Sequence, residues 1–374
     1  ESNFTLDTVA VSDINNLIML DGQAIQVDLK IDQPRNKLTT TVSADVIKAS
    51  NYLPKSGSSA DNSGLFAPLA IPFALWHGQS QVEMTIGSVQ LNDFAVDNVY
   101  SNVFGNNSVL RLTSLNADLF GGQINATGRL DMRSAIPEFK LQNSLTDIDL
   151  ELALPAIADN SDLSGLLSLE VEMQGSGNSS EEIISALSGT GDLTVLNPTY
   201  LAINAEETFC NAAALFGGSP TNTAWSKGTE LETLTSQFSL ENGKVLIRDL
   251  KTATGNLSIS GRGTVQLLLK RYSVTANTRV NASTTSASGC SVNTSLRNRN
   301  LPFICTGSYD ADGKTNCKPD DSLVRDFLKG SIFQQLGGQL FDTPVTEKDS
   351  SEQEEQQTDP LKNLLKGVLE RKLK

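Results

Sequence analysis

The chain has one histidine, His77, and that single residue bounds the chemistry open to it. Any Ser-His-Asp or Cys-His arrangement would have to use it. It stands between Trp76 and Gly78 in an apolar stretch, where packing within a loop is the expected role. Carboxylates are numerous but scattered, with no pair spaced for acid–base work. Gly-x-Gly occurs at 175–177, 189–191 and 261–263 but opens neither a P-loop nor a dinucleotide fold. In strands such glycines relieve crowding or mark bends. The four cysteines, Cys210, Cys290, Cys305 and Cys317, show no C-x-x-C spacing, so neither a metal nor a cofactor is expected. Two disulfides in an oxidising compartment are the expected state. A turn at 310–313 places Cys305 opposite Cys317, and a turn at 297–300 equally places Cys290 opposite Cys305. The connectivity stays open.

The elements around these residues read as β-structure. Residues 109–131 alternate apolar and polar side chains, turn at Gly121-Gly122, and alternate again, which predicts a hairpin of half-buried strands. The pattern returns 135 residues later: Val245, Ile247, Leu250, Ile259, Gly263 and Val265 align with Leu110, Leu112, Leu115, Ile124, Gly128 and Leu130. Shared glycine and turn spacing point to an internal repeat. Further strands are expected at 4–11, 24–31, 38–46, 81–91, 94–103, 139–154, 163–174, 189–196, 230–240, 256–269, 272–281, 290–294 and 303–309. Helices are expected at 180–187, 204–216 and 322–340.

The organisation follows from composition. Residues 1–54 form a first β block, 55–64 a flexible loop, and 65–341 the main repeated sheet region. Residues 342–359 are acidic and lack large apolar side chains, which predicts disorder. Residues 360–374 form a terminal amphipathic helix. The net charge of −14 argues against a nucleic-acid partner. The longest apolar run, within 65–76, is broken by Pro68 and Pro72 and is too short to span a bilayer. The chain opens at Glu1 without a signal peptide, which reads as a mature form or an excised piece.

Several stretches resemble the C-terminal periplasmic region of the AsmA family of bacterial envelope proteins. Asn51-Tyr52-Leu53-Pro54 is similar to the family's strand-ending YLP motif. Residues 113–131, A-x-L-F-G-G-x-I-x-A-x-G-x-L-D in form, carry the most specific likeness. Residues 163–175 and 187–195 resemble its paired strands around a short helix. The segments around Cys290, Cys305 and Cys317 resemble the family's cysteine-bearing end. Asn197-Pro198 and Ala202-Ile203-Asn204 depart from the family pattern. The resemblance implies a mainly β protein with a few helices, built on a long, curved, repeat-built antiparallel sheet. That build is a β-groove or taco, related to the chorein-type bridge proteins. It further implies a non-enzymatic periplasmic protein, tethered to the inner membrane by an N-terminal helix outside this chain. Expected partners are phospholipid or another acyl-chain lipid, and envelope assembly proteins.

A long sheet with one apolar face must cover that face. Acyl chains would do so at ~0.8 kcal/mol per buried CH₂; a second sheet would do so equally well. The groove candidates are Leu112, Leu115, Ala117 and Leu119 on the first hairpin strand, with Ile124 and Leu130 on its return. Leu167, Leu169 and Val171 join them, as do Ile247, Leu257, Ile259, Val265 and Leu267 in the second copy. The alternative is a scaffold or chaperone-like module acting on outer-membrane protein assembly through protein contacts.

Overall fold

The structure is a computed structural model that describes residues 2–4, 11–20, 22–51, 78–91, 94–158, 161–214, 225–280, 300–309 and 315–320. Period-two alternation dominates these residues, and they form eighteen strands in one sheet. The first nine are β1 (Ser2–Phe4), β2 (Val11–Leu20), β3 (Gln23–Asp32), β4 (Lys37–Lys48), β5 (Gln79–Gln90), β6 (Ala95–Asn106), β7 (Val109–Leu119), β8 (Gly122–Asp131) and β9 (Glu138–Asp149). The remaining nine are β10 (Leu163–Ser176), β11 (Ser188–Tyr200), β12 (Thr229–Glu230), β13 (Leu234–Glu241), β14 (Lys244–Ala253), β15 (Leu257–Gln266), β16 (Arg271–Val280), β17 (Leu301–Ser308) and β18 (Asn316–Pro319).

Each strand pairs with its neighbour in sequence, with β12 and β13 sharing the far side of β11. All pairs are antiparallel but one: β4 and β5 run parallel, from Lys37↔Gln79 to Lys48↔Gln90. The sheet is therefore mixed, which corrects the all-antiparallel expectation. The physical reason lies in the connection. Antiparallel neighbours need only a tight turn, whereas parallel ones need a crossover of a dozen residues or more, and 49–78 supplies that length.

The repeat is carried by the pairing itself. In the first copy Leu110↔Leu130, Leu112↔Gly128, Leu115↔Ala126 and Ala117↔Ile124 are partners, with a bulge between Leu112 and Leu115. In the second, Val245↔Val265, Ile247↔Gly263, Leu250↔Gly261 and Thr252↔Ile259 are partners, with a bulge between Ile247 and Leu250. Every pair is displaced by the same 135 positions. The bulge is legible as a spacing of three inside a spacing of two, Leu110-Leu112-Leu115 and Val245-Ile247-Leu250. An extra residue on one strand keeps the apolar set on one face. The preceding strand joins the repeat, since Val103↔Leu112 corresponds to Phe238↔Ile247.

Among the described residues three α-helices interrupt the sheet: α1 (Leu150–Ala158), α2 (Ser180–Ala186) and α3 (Ala205–Ala214). Helix α1 corrects the expected strand 139–154, which ends at Asp149. The Asp149 carboxylate accepts from the Glu151 N–H at 2.9 Å, and such local capping starts a helix where alternation alone reads as strand. Helix α2 is capped by Ser179, whose hydroxyl accepts from the Glu182 N–H at 3.2 Å. Helix α3 is capped by Asn204, whose side-chain oxygen accepts from the Glu207 N–H at 2.9 Å.

Strand β2 was not expected beyond Val11. Its alternate positions Ser12, Ile14, Asn16 and Ile18 are half polar, which dilutes the period. Of the expected strand 4–11, Phe4 belongs to β1 and Val11 opens β2.

Candidate functional site: the apolar sheet face

Register partners in a sheet point to the same face. Fourteen successive partners run from β2 to β16: Ile14, Leu29, Thr40, Val82, Val103, Leu112, Gly128, Leu141, Met173, Gly189, Leu240, Val245, Val265 and Tyr272. Thr40 and Tyr272 contribute its only side-chain hydroxyls. All fourteen are buried or half-buried. One residue over, the opposite face carries Arg111, Arg129, Lys140, Gln174, Glu241, Lys244 and Arg271, all exposed. The sheet is thus two-faced along its length.

The sequence-derived candidates fall on neighbouring rows of the apolar face. Leu115, Val171 and Ile247 share the row Leu115–Ala126–Asn143–Val171–Gly191–Phe238–Ile247. Ala117, Ile124 and Leu169 share Ala117–Ile124–Leu145–Leu169–Leu193. Ala117 also joins Ile86 and Val99 in a buried cluster, against which the partly buried Leu115 and Ile124 pack. Leu167 lies between Ile148 and Val195, and Leu130 between Leu110 and Phe139. Leu119 lies between Val96 and Gly122. Leu112 and Val265 stand in the long row above. Ile259 is flanked by Thr252 and Thr278, and Leu257 is buried at 2% exposure. Leu267 sits apart, in the turn after β15, where its carbonyl accepts from the Tyr309 hydroxyl at 2.9 Å.

Sequence reading put Met173 on the face of Leu167, Leu169 and Val171 without naming it for the groove, and missed Leu141, Leu145, Leu193 and Leu240. Each alternates correctly, but only the register joins it to the others. It also missed Asn143. This amide lies in the middle of the apolar face, and its side-chain oxygen is buried without a hydrogen-bond partner among the described residues.

Two features bound the face. Helix α3 is held at one end: the Glu206 carboxylate accepts from the Thr254 hydroxyl and from the Asn256 amide, each at 2.9 Å, and Phe209 is buried at 2% exposure. On β11 and β16, Tyr200 and Tyr272 both meet the Thr315 hydroxyl, the first at 2.7 Å. Burial raises the Tyr200 phenol above its ordinary range. Beyond them, Cys305 and Cys317 stand directly opposite on β17 and β18 and form a disulfide. Cys210 of α3 is also disulfide-bonded.

A hollow of about 780 Å³ lies over β7–β11, walled by polar-face side chains such as Thr113, Thr127, Gln142 and Gln174. Leu112, Gly128, Leu141, Met173 and Gly189 of the long row line it as well. Among the described residues no cluster of three or more His, Cys, Asp or Glu could hold a metal ion, and no helix is long and apolar enough to cross a membrane. His77, Cys290, the loop 55–64, the helix expected at 322–340, the linker 342–359 and the terminal helix 360–374 lie outside the described residues.

Comparison with known proteins places the chain in a family. No solved structure matches the chain. A curated relative, Protein AsmA of Escherichia coli (strain K12), is 23% identical over 160 residues, covering 42% of this chain and 26% of that protein. The chain thus spans about a quarter of that relative's length. The model of the AsmA family matches residues 8–250, from β2 through most of β14, well over half the sequence. The two-faced sheet described above is, over that range, the sheet of a chain that belongs to the AsmA family.

Proposed function

We propose that the apolar face binds the acyl chains of phospholipid. In this reading the protein works in the periplasm as a cell-envelope component, carrying or sheltering lipid between inner and outer membranes and supporting outer-membrane biogenesis. It is non-enzymatic, and its build is that of the chorein-type bridge proteins. The supporting observation is the continuous row of fourteen register partners, apolar but for the hydroxyls of Thr40 and Tyr272, perpendicular to the strands. A closed core needs apolar residues facing one another; a lipid conduit needs them in a continuous stripe. The residues proposed to line it are those named above, from Leu112 to Val265, together with Leu141, Met173 and Leu240. Each CH₂ buried there contributes ~0.8 kcal/mol, so chain length, not headgroup, should govern affinity along the stripe.

Native mass spectrometry of the purified chain, with solvent extraction of any added mass, tests the proposal. Co-purified phospholipid that is lost on Leu115→Asp and Ile259→Asp, with the circular dichroism spectrum unchanged, supports it. A lipid-free chain that also takes up no added phospholipid overturns it.

A further inference from the structure

Charge is distributed unevenly along this chain. Residues 141–226 contain twelve Asp and Glu and no Lys or Arg, so −12 of the net −14 falls in this one stretch. The stretch builds the end of β9, α1, β10, α2, β11 and α3. One rim of it also exposes large apolar side chains: Leu152 and Ile157 on α1 at 55% and 64%, Leu166 and Leu196 at about 40%, and Leu201 at 38%. Register and hydrogen bonds bring them to the same rim. Leu166 is the partner of both Leu196 and Asp149, α1 starts directly after Asp149, and the Leu201 N–H bonds the Asp162 carbonyl at 2.7 Å. Asp147, Asp149 and Glu151 stand on this rim, and none of the three has an ion pair among the described residues.

We infer that this rim is a docking surface for a basic, leucine-rich amphipathic segment of a partner protein. Exposed apolar patches ringed by charge mark contact sites, and the sign of the ring selects the occupant. An anionic membrane surface is repelled by a rim charged by Asp147, Asp149 and Glu151, with Lys227 near Leu201 its nearby cation among the described residues, and a second copy of the same rim brings like charge against like. A segment with leucines on one face and lysines on the other meets both features. The surface lies outside the apolar rows and is independent of their lipid reading.

The test uses a synthetic Leu/Lys amphipathic 14-mer, labelled for fluorescence anisotropy, and the full chain. Binding should weaken about 10-fold in the variant Leu152→Ser with Ile157→Ser, and by a similar factor in Asp147→Asn with Glu151→Gln. It should also fall as salt rises. All four positions are exposed, so folding is not at stake. A Ser/Lys peptide of equal charge should bind at least ~10-fold more weakly. Equal binding of the two peptides overturns the inference, as does binding untouched by the rim variants. Tighter binding of the rim to vesicles as their anionic lipid fraction rises overturns it as well.

Discussion

The two copies of the repeat have the same strands, register and bulge, and they differ at the turn. In the first copy Phe120 and Gly121 both have positive φ, 47° and 77°. That is the left-handed two-residue turn that matches strand twist; its Phe120 carbonyl also accepts from the Asp149 N–H at 2.9 Å. In the second copy the corresponding residues are Gly255 and Asn256. The turn is held by Thr254, whose hydroxyl accepts from the Asn256 and Leu257 N–H groups while donating to Glu206 of α3. The first turn closes through local backbone geometry, and the second through a helix that arrives from elsewhere in the chain. A repeat therefore preserves what the ladder requires and leaves free what the neighbours supply.

The largest difference should appear at the position after the turn. Leu257 is almost fully buried, whereas its counterpart is Gly122. Leu257→Ala should cost about 2–5 kcal/mol by urea unfolding. The reverse exchange, Gly122→Leu, should fail, because a Cβ there would lie 2.3 Å from the Thr146 carbonyl oxygen; a Gly122→Leu protein as stable as the parent would contradict the close approach.

Next come the paired glycines. A Cβ at Gly263 would meet the Ser273 carbonyl oxygen at 2.6 Å, and at Gly128 the Lys140 carbonyl oxygen at 2.8 Å. Valine at either should destabilise by about 1–3 kcal/mol, with similar losses in both copies. Unequal losses would mean the copies are less alike than their register.

Thr254→Val should cost about 1–2 kcal/mol through lost hydrogen bonds. Glu206→Gln in the same background should then add little, since the two act as one unit.

The smallest effect concerns Tyr200. Burial raises its pKa in the fold, so the neutral phenol is the form the fold favours. Its contribution is present below the unfolded value of about 10 and is lost as pH rises past it. Tyr200→Phe should flatten the fall of the urea midpoint above pH ~10 while costing about 1 kcal/mol at neutral pH.

Much of this was legible in residue order. The hairpin 109–131, the offset of 135, helices at 180–187 and 204–216, and most candidate apolar positions follow from period and caps. The end of β9 was not legible, because Leu150, Leu152 and Leu154 continue an alternation that a single Asp149 cap converts into helix. Strand β2 escaped because Ser12 and Asn16 occupy positions on the apolar face. Resemblance to the AsmA family was legible as well, and the family match over 8–250 establishes it.

By itself, the sequence determined which residues alternate, where the chain turns, and that one face of each strand is apolar, because side-chain period and turn chemistry are local properties. Only the tertiary structure decided that those faces join into one row, that β4 and β5 run parallel, and that Cys305 pairs with Cys317. Register between strands is a long-range choice: a slip of one residue reverses every face, and no single strand encodes its partner's alignment.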